Sequence, residues 1–270
     1  MATESTGPFP LQIPGLDRDL RLHVHSATDL YISRQIRELG IWEPYESSLV
    51  QHYLQPGDVF LDAGANIGYF TVLAAACVGD RGRVYAFEPE PRNFQLLRDN
   101  VELNGFSSRV TSMQVALTAE SGVGQLYLHP QNLGDHQLFG SGEDRKTVAV
   151  KLLAGDDIFS GRDVQLGLVK IDTQGAEQAV VQGLLPRLRA SGATLKMLIE
   201  LTPFSLRRAG TTGSDFVALL ATLDLPFYIV DHIEHQLAPV SVAELQRWCT
   251  NVDESAEDEG FMNIFLGAQV

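Results

Sequence analysis

Positive charge is what the 270-residue chain most conspicuously lacks: 20 Lys and Arg face 34 Asp and Glu, for a formal net charge of −14. A surface that binds nucleic acid needs clustered Lys and Arg to displace counterions from the phosphate backbone. No such cluster occurs, so no nucleic-acid partner is predicted. Cysteine is nearly absent. Cys77 and Cys249 stand far apart, which excludes a disulfide framework and offers no metal-ligand spacing. They read as small buried hydrophobes, and their scarcity suits a reducing compartment. Long apolar runs are also missing. The longest, Tyr69–Val78, carries Thr71 and is too short to cross a bilayer. The opening MATESTGPFP lacks the basic start and apolar run of a secretion signal. These absences predict a cytoplasmic protein with no membrane partner. Asp231, His232, Glu234 and His235 crowd together in sequence, but their spacing at a strand end is too weak a metal signature, and no metal is predicted.

The remaining composition is that of an ordinary globular α/β protein, with 44% apolar and 20% charged residues. Residues 1–55 read as an N-terminal arm and cap. The arm is rich in Gly and Pro; a short strand follows over 20–24, then a helical or mixed segment over 29–39 stopped by Gly40. A helix over 44–54 is entered through a proline and halted before Pro56-Gly57. From residue 56 to 270 the rhythm is that of one large domain. Strands at 58–63, 83–88, 110–117, 164–172 and 195–201 alternate with helices at 67–78, 91–103, 175–185 and 214–223. Pro186 is expected to end the helix that begins at 175. Late strands at 226–231 and 261–266 have no obvious helix between them, so one of the two is expected to run antiparallel. Such alternation predicts a mostly parallel sheet with helices on both faces. Residues 118–163 break the rhythm and read as a hairpin and loop inserted between the third and fourth strands, on the sheet edge where α/β folds gather ligand contacts. The acids Asp253-Glu254 and Glu257–Glu259 read as a solvated loop.

One segment carries most of the chemistry. The strand VFLDA runs into Gly64-Ala-Asn66-Ile-Gly68 and then into a helix. Gly64 permits a sharp turn and close approach of a ligand; Gly68 is expected to allow close helix–strand packing. Glu88 ends the next strand, 20 residues after Gly68, where a carboxylate accepts from both hydroxyls of a ribose. The unit is that of a nucleoside-binding βαβ fold. A dinucleotide calls for G-x-G-x-x-G, but Asn66 stands at the second glycine, and no Walker sequence is present. Asp62 at the strand end would repel phosphate. S-Adenosylmethionine has a ribose, an ammonium, a carboxylate and a sulfonium but no phosphate, and it matches this set better. Asp62 is the candidate for the ammonium, and the amides near Asn66 and Gly68 for the carboxylate.

The segments VFLDAGANIGYFT, YAFEPEPRNFQLLRDNVELNG, VALTAESG and VKIDTQGAEQAVVQG together resemble the FkbM-type S-adenosylmethionine-dependent methyltransferases. The resemblance runs from about Trp42-Glu43 to Glu200-Leu201. It implies a class I methyltransferase, Rossmann-like fold, and methyl transfer to a hydroxyl of a sugar or other small natural product. By the same resemblance Asp62, Gly64, Asn66, Gly68, Glu88, Pro89 and Asn93 belong to the cofactor site, with Ala116 beside the adenine. The sequence departs from the family at Gln174, where a second acid is usual, which puts proton transfer or metal binding there in doubt.

Methylating a hydroxyl requires loss of its proton as the carbon–oxygen bond forms. Asp172, ending the fourth strand, neighbours Asp62 in a doubly wound sheet and is a candidate both for the base and for cofactor contact. His136 in the inserted loop is the second candidate base, with Asn132 and Asp135 beside it for orientation and substrate contact. Glu177, one helical turn beyond Asp172, and Glu200, ending the fifth strand, are candidate substrate contacts. Competing readings are a small-molecule N-methyltransferase, which the negative charge would assist, a nicotinamide-dependent oxidoreductase, and a cofactor-binding protein without turnover.

Overall fold

The computed structural model describes residues 5–26, 29–140, 144–255 and 260–269; Glu257–Glu259 of the acidic run and part of the Gly/Asp/Ser-rich loop lie outside them. The chain opens with a ribbon, β1 (Ser5–Pro10) paired antiparallel with β2 (Arg21–His25). Helices α1 (Ile32–Leu39) and α2 (Pro44–Tyr53) follow. Then come β3 (Val59–Ala63), α3 (Tyr69–Val78), β4 (Arg83–Phe87), α4 (Pro91–Leu103) and β5 (Val110–Met113). The insertion supplies β6 (Ala116–Thr118), β7 (Gly122–Leu128) and β8 (Lys146–Ala154). The chain returns through β9 (Leu168–Ile171), α5 (Glu177–Ser191), β10 (Lys196–Leu201), α6 (Pro203–Arg208) and α7 (Gly213–Ala221). It closes with β11 (Phe227–Asp231), β12 (Gln236–Val240), α8 (Val242–Glu254) and β13 (Met262–Leu266).

The main sheet has eight strands in the order β12-β11-β13-β10-β9-β3-β4-β5. β10, β9, β3, β4 and β5 are mutually parallel, and β13 runs antiparallel to both β10 and β11. The order reverses between β3 and β9, so the loops leaving these two strands diverge and open a crevice at their carboxyl ends. One apolar core covers each face. Leu73, Leu96 and Leu97 of α3 and α4 share a core with Leu22, Ile36 and Val50 of the N-terminal segment. Val181, Leu184 and Phe216 of α5 and α7 fill the opposite side. The N-terminal cap is thus packed into the sheet's own core, not set beside it.

Four sequence-based expectations are corrected. The third strand is not continuous: β5 ends at Met113, and Ala116–Thr118 leaves the sheet to pair with Leu152–Ala154 of β8. Pro186 does not end its helix. α5 runs on to Ser191, because Leu184 and Leu188 on either side of the proline are buried, and that burial outweighs the roughly 3 kcal/mol an interior proline costs. A strand and a helix, β12 and α8, lie between the two closing strands where none was expected. α8 begins at a capping box in which Ser241 and Glu244 satisfy each other's backbone N–H. Gly68 serves helix–helix rather than helix–strand packing: it caps α3 at φ 89, and a Cβ there would lie 2.6 Å from Leu97 Cδ1 of α4.

Candidate active site

The β3–α3 loop turns back across the end of β9. At Gly64, φ is 84 and an added Cβ would meet the Asp172 carbonyl oxygen at 1.8 Å, so only glycine lets the two strand ends lie this close. Asn66 follows at φ 50. Its backbone N–H donates to Glu88 Oε2 at 2.9 Å, locking the loop to the end of β4. Glu88 Oε1 accepts a second amide, from Glu90, at 2.8 Å. Burial pushes the Glu88 carboxyl up to about 8 despite these donors.

The loop after β7 folds over the crevice and divides it. The Leu133 carbonyl accepts from Asn66 Nδ2 at 3.1 Å and from Asn93 Nδ2 at 2.9 Å. Asn93 is held in turn by His25 Nε2, 2.7 Å from its Oδ1. The inner lobe lies on the Glu88 side, lined by Glu88, Pro89, Asn93, Ala116 and the apolar Phe87, Leu117 and Leu126. No Lys or Arg lines it among the described residues. The outer lobe, about 810 Å3, lies on the Asp62 side and is lined by Asp62, Asn132, Asp135, Lys170, Asp172, Gln174 and Glu200, with Trp42, Phe70 and Phe204 among its rings. Gly64, Asn66 and Asp172 line both.

The outer lobe is floored by an acidic cluster built around one cation. Lys170 Nζ lies 2.8 Å from Asp172 Oδ2 and 4.6 Å from the centroid of the Phe70 ring. Burial alone would lower its ammonium, but Asp172, Glu43 and Asp62 outweigh that and hold it above the usual lysine range. Burial likewise works to raise the Asp172 carboxyl, and Lys170 overrides it, so Asp172 titrates low. Asp62 accepts from the Thr71 hydroxyl at 2.6 Å, and desolvation pushes it up to about 6. Gln174 bridges the cluster, donating to Asp172 Oδ1 at 2.9 Å and Glu200 Oε2 at 2.6 Å. Burial, then the charges of Asp172, Glu177 and Glu43, raise Glu200 well above the usual carboxylate range.

Two candidates sit elsewhere than the sequence suggested. His136 lines the inner lobe, not the outer. Its Nδ1 accepts the His129 backbone N–H at 3.1 Å, which places the ring proton on Nε2. Burial drives the ring down to about 4. It presents a donor to the crevice, which corrects the expectation of a general base. Glu177 faces neither lobe. It is completely buried and accepts from the Thr173 and Gly175 amides, at 2.9 and 3.0 Å, and from the Thr173 hydroxyl at 3.0 Å. It shapes the loop that carries Gln174 and is not a substrate contact. Gly68 also lies outside both lobes. Lys170 and Glu43 were missed as site residues. Lys170 was legible as the one charged residue in the apolar run LVKI, since a lysine in a buried strand requires partners.

The FkbM methyltransferase domain matches residues 62–228, more than half of the chain. The chain belongs to the FkbM methyltransferase family. The 31-O-demethyl-FK506 methyltransferase FkbM of Streptomyces tacrolimicus is 31% identical over 173 residues, covering 50% of this chain and 64% of that protein. The hexuronic acid methyltransferase AglP of Haloferax volcanii is 26% identical over 175 residues, covering 63% and 66%. The chain thus spans just under two thirds of either relative's length. Among solved structures, an S-adenosylmethionine-dependent O-methyltransferase from Thermotoga maritima is 13% identical, with a TM-score of 0.46 over 99% of this chain and 96% of that one. The matched region is thus a methyltransferase domain, laid out on the mostly parallel α/β sheet described above. The chemistry of the inner lobe's lining is compatible with S-adenosylmethionine, the cofactor expected from the sequence: the buried Glu88 suits a ribose diol, Ala116 and its apolar neighbours suit an adenine, and no Lys or Arg among the described residues is there for a pyrophosphate. No helix among the described residues is long and apolar enough to cross a membrane, and these residues hold no cluster of His, Cys, Asp and Glu suited to a metal ion.

Proposed function

We propose that this FkbM methyltransferase acts on a hydroxyl of a small molecule, a sugar or a natural product, bound in the outer lobe. The observation that carries this reading is the cluster of Asp172, Lys170, Gln174 and Glu200 where the outer lobe meets the inner one. It offers several carboxyl groups, a lysine and an amide to one hydroxyl-bearing ligand, in a lobe also lined by Trp42, Phe70 and Phe204. A cavity of about 810 Å3 is of the size that encloses such a molecule. The names of the two relatives, a 31-O-demethyl-FK506 methyltransferase and a hexuronic acid methyltransferase, support the same class.

In this reading Glu88 holds the ribose hydroxyls, with Asn93 and Pro89 beside them, and Asp62 holds the ammonium of the cofactor. Gly64 and Asn66 supply the backbone that admits the carboxylate. His136 donates from Nε2 into the inner lobe. The cofactor supplies a methyl group on a positively charged sulfur. Asp172, kept ionised by Lys170, accepts a hydrogen bond from the acceptor hydroxyl and aligns its oxygen for in-line attack. Asn132 and Asp135 border the acceptor, and Arg145 pins Asp135 at 3.1 Å. Burial and the neighbouring carboxylates favour the protonated form of Glu200, the form that can donate to a second acceptor oxygen.

The test incubates the protein with S-adenosylmethionine and a panel comprising methyl glucoside, methyl glucuronoside, 31-O-demethyl-FK506 and their amino analogues. The expected result is S-adenosylhomocysteine together with a product heavier by one methyl on oxygen. Methylation confined to the amino analogues would overturn the hydroxyl assignment.

A further inference from the structure

Glu43 stands immediately before α2, at φ 42 and followed by Pro44. Non-glycine residues held in this left-handed region are strained and gather at functional sites. The described chain has five: Glu43, Asn66, Gln174, Asp224 and His235. The first three all line the outer lobe. The Glu43 carbonyl accepts the Ser47 N–H at 2.9 Å, which ties its backbone to the first turn of α2. Its carboxyl is placed differently from those of the other acids in the lobe. Asp62 is engaged by Thr71, Asp172 by Lys170 and Gln174, and Glu200 by Gln174. Glu43 Oε2 is sealed from solvent and has no hydrogen-bond partner among the described residues. A buried carboxyl oxygen left this way calls for a proton of its own or for a donor brought by a ligand.

We propose that Glu43 takes the proton from the acceptor hydroxyl, and that entry of the cationic cofactor ionises it for that role. The proposal rests on the hydroxyl reading above and assigns the proton to a residue other than Asp172, which aligns the oxygen. As the acceptor oxygen bonds to the methyl carbon, the carbon–sulfur bond breaks with its electron pair passing to sulfur, and the hydroxyl proton moves to Glu43. Sulfur becomes neutral in the same step, so the reprotonated carboxyl no longer faces a positive charge. The groups that set its charge are Lys170 of β9 and Asp172 just beyond it, Glu46 of α2, Glu200 of β10 and Tyr69 of α3. Burial pushes the Glu43 carboxyl up to about 8, with Lys170 opposing and Asp172 and Glu46 reinforcing. The carboxyl raised in this way favours its protonated form in the free protein at neutral pH. A positive charge entering the lobe favours the carboxylate and expels that proton.

The test needs no acceptor. Calorimetry at pH 7 in buffers of differing ionisation heat counts protons released on binding S-adenosylmethionine and S-adenosylhomocysteine. Wild type is expected to release several tenths of a proton more with the sulfonium than with the thioether. Glu43→Gln is expected to lose that difference while binding S-adenosylhomocysteine as tightly as wild type, and Glu43→Asp, which keeps a carboxyl, restores part of it. An undiminished difference in Glu43→Gln overturns the assignment. If wild type binds neither compound, the reading beneath the proposal fails and takes Glu43 with it. With an acceptor found in the panel above, Glu43→Gln is expected to lower kcat by about 10²–10⁴-fold at nearly constant KM; an unchanged kcat refutes the role.

Discussion

Lys170→Met tests whether the acidic cluster of the outer lobe is organised around Lys170. Methionine keeps the volume and the contact with Phe70 and removes the charge. The lysine side chain is 7% exposed and pairs at 2.8 Å with Asp172, so its half-buried partner would keep the hydrogen bond from Gln174 and lose its counter-charge. Breaking a buried pair in this way costs about 3–5 kcal/mol. With a urea slope of about 3 kcal/mol/M, the upper end of the usual range, the unfolding midpoint should fall by about 1–1.7 M. The pH dependence gives the sharper test. In the wild type Asp172 titrates low, so its ionisation stabilises the fold above the ordinary carboxylate pKa, and that contribution is lost only as pH falls through the depressed value. Without Lys170, burial of Asp172 is opposed only by its hydrogen bonds with Gln174 and Glu200. Its pKa then rises, and ionisation destabilises the fold increasingly as pH climbs from about 4. The raised lysine contributes constantly over this range, because both its folded and unfolded values lie far above it. The gap between wild type and variant should therefore be small at pH 4 and widest at pH 7 to 8. Urea titrations at four or five pH values measure it. A gap below about 1 kcal/mol, or one independent of pH, would show that the lysine does not hold the cluster.

Other changes probe the remaining parts of the site. Gly64→Ala places a methyl group 1.8 Å from the Asp172 carbonyl in a backbone at φ 84; strain and overpacking together should cost about 2–5 kcal/mol and weaken S-adenosylhomocysteine binding, read by thermal unfolding and calorimetry. Glu88→Gln should stabilise the cofactor-free protein and still bind the cofactor less tightly. Because burial raises Glu88 to about 8, its ionisation destabilises the fold as pH rises towards that value, and the gain at pH 8 should reach at least the ~1.4 kcal/mol of one pKa unit. A Glu88→Gln protein less stable than wild type at pH 8 contradicts this account. Replacing Asn66 and Asn93 together by Ala removes both donors to the Leu133 carbonyl and should accelerate amide exchange in residues 129–137, seen by mass spectrometry. Ser241→Ala should cost about 1 kcal/mol through loss of the α8 cap, without affecting cofactor binding.

The nucleoside half of the site was legible because its constraints are local. A strand, Gly64, Asn66 and Glu88 lie within one βαβ unit, and the spacing alone brings Glu88 beneath the loop. The acceptor half is assembled from β9, β10, the turn before α2 and the inserted loop, so its contacts are long-range and no local pattern encodes them. Lys170 and Glu43 stood in view as letters of a motif, but their charges acquire meaning only once four carboxyl groups surround them. His136 and Glu177 were misplaced for a related reason: residue type suggested chemistry, while a backbone N–H claimed the imidazole nitrogen and the Thr173–Gly175 loop claimed the carboxylate. α8 was missed although its capping box, Ser241-Val-Ala-Glu244, can be read directly from the chain. Pro186 misled because tertiary burial overrode a local rule.

Calorimetric titration of the protein with S-adenosylhomocysteine and with NAD, each repeated on Glu88→Ala, addresses the central claim that the inner lobe was built for a nucleoside free of phosphate. Micromolar binding of S-adenosylhomocysteine that the variant loses, with no heat from NAD, is the predicted result. Tighter binding of NAD than of S-adenosylhomocysteine, or binding indifferent to Glu88, would contradict it.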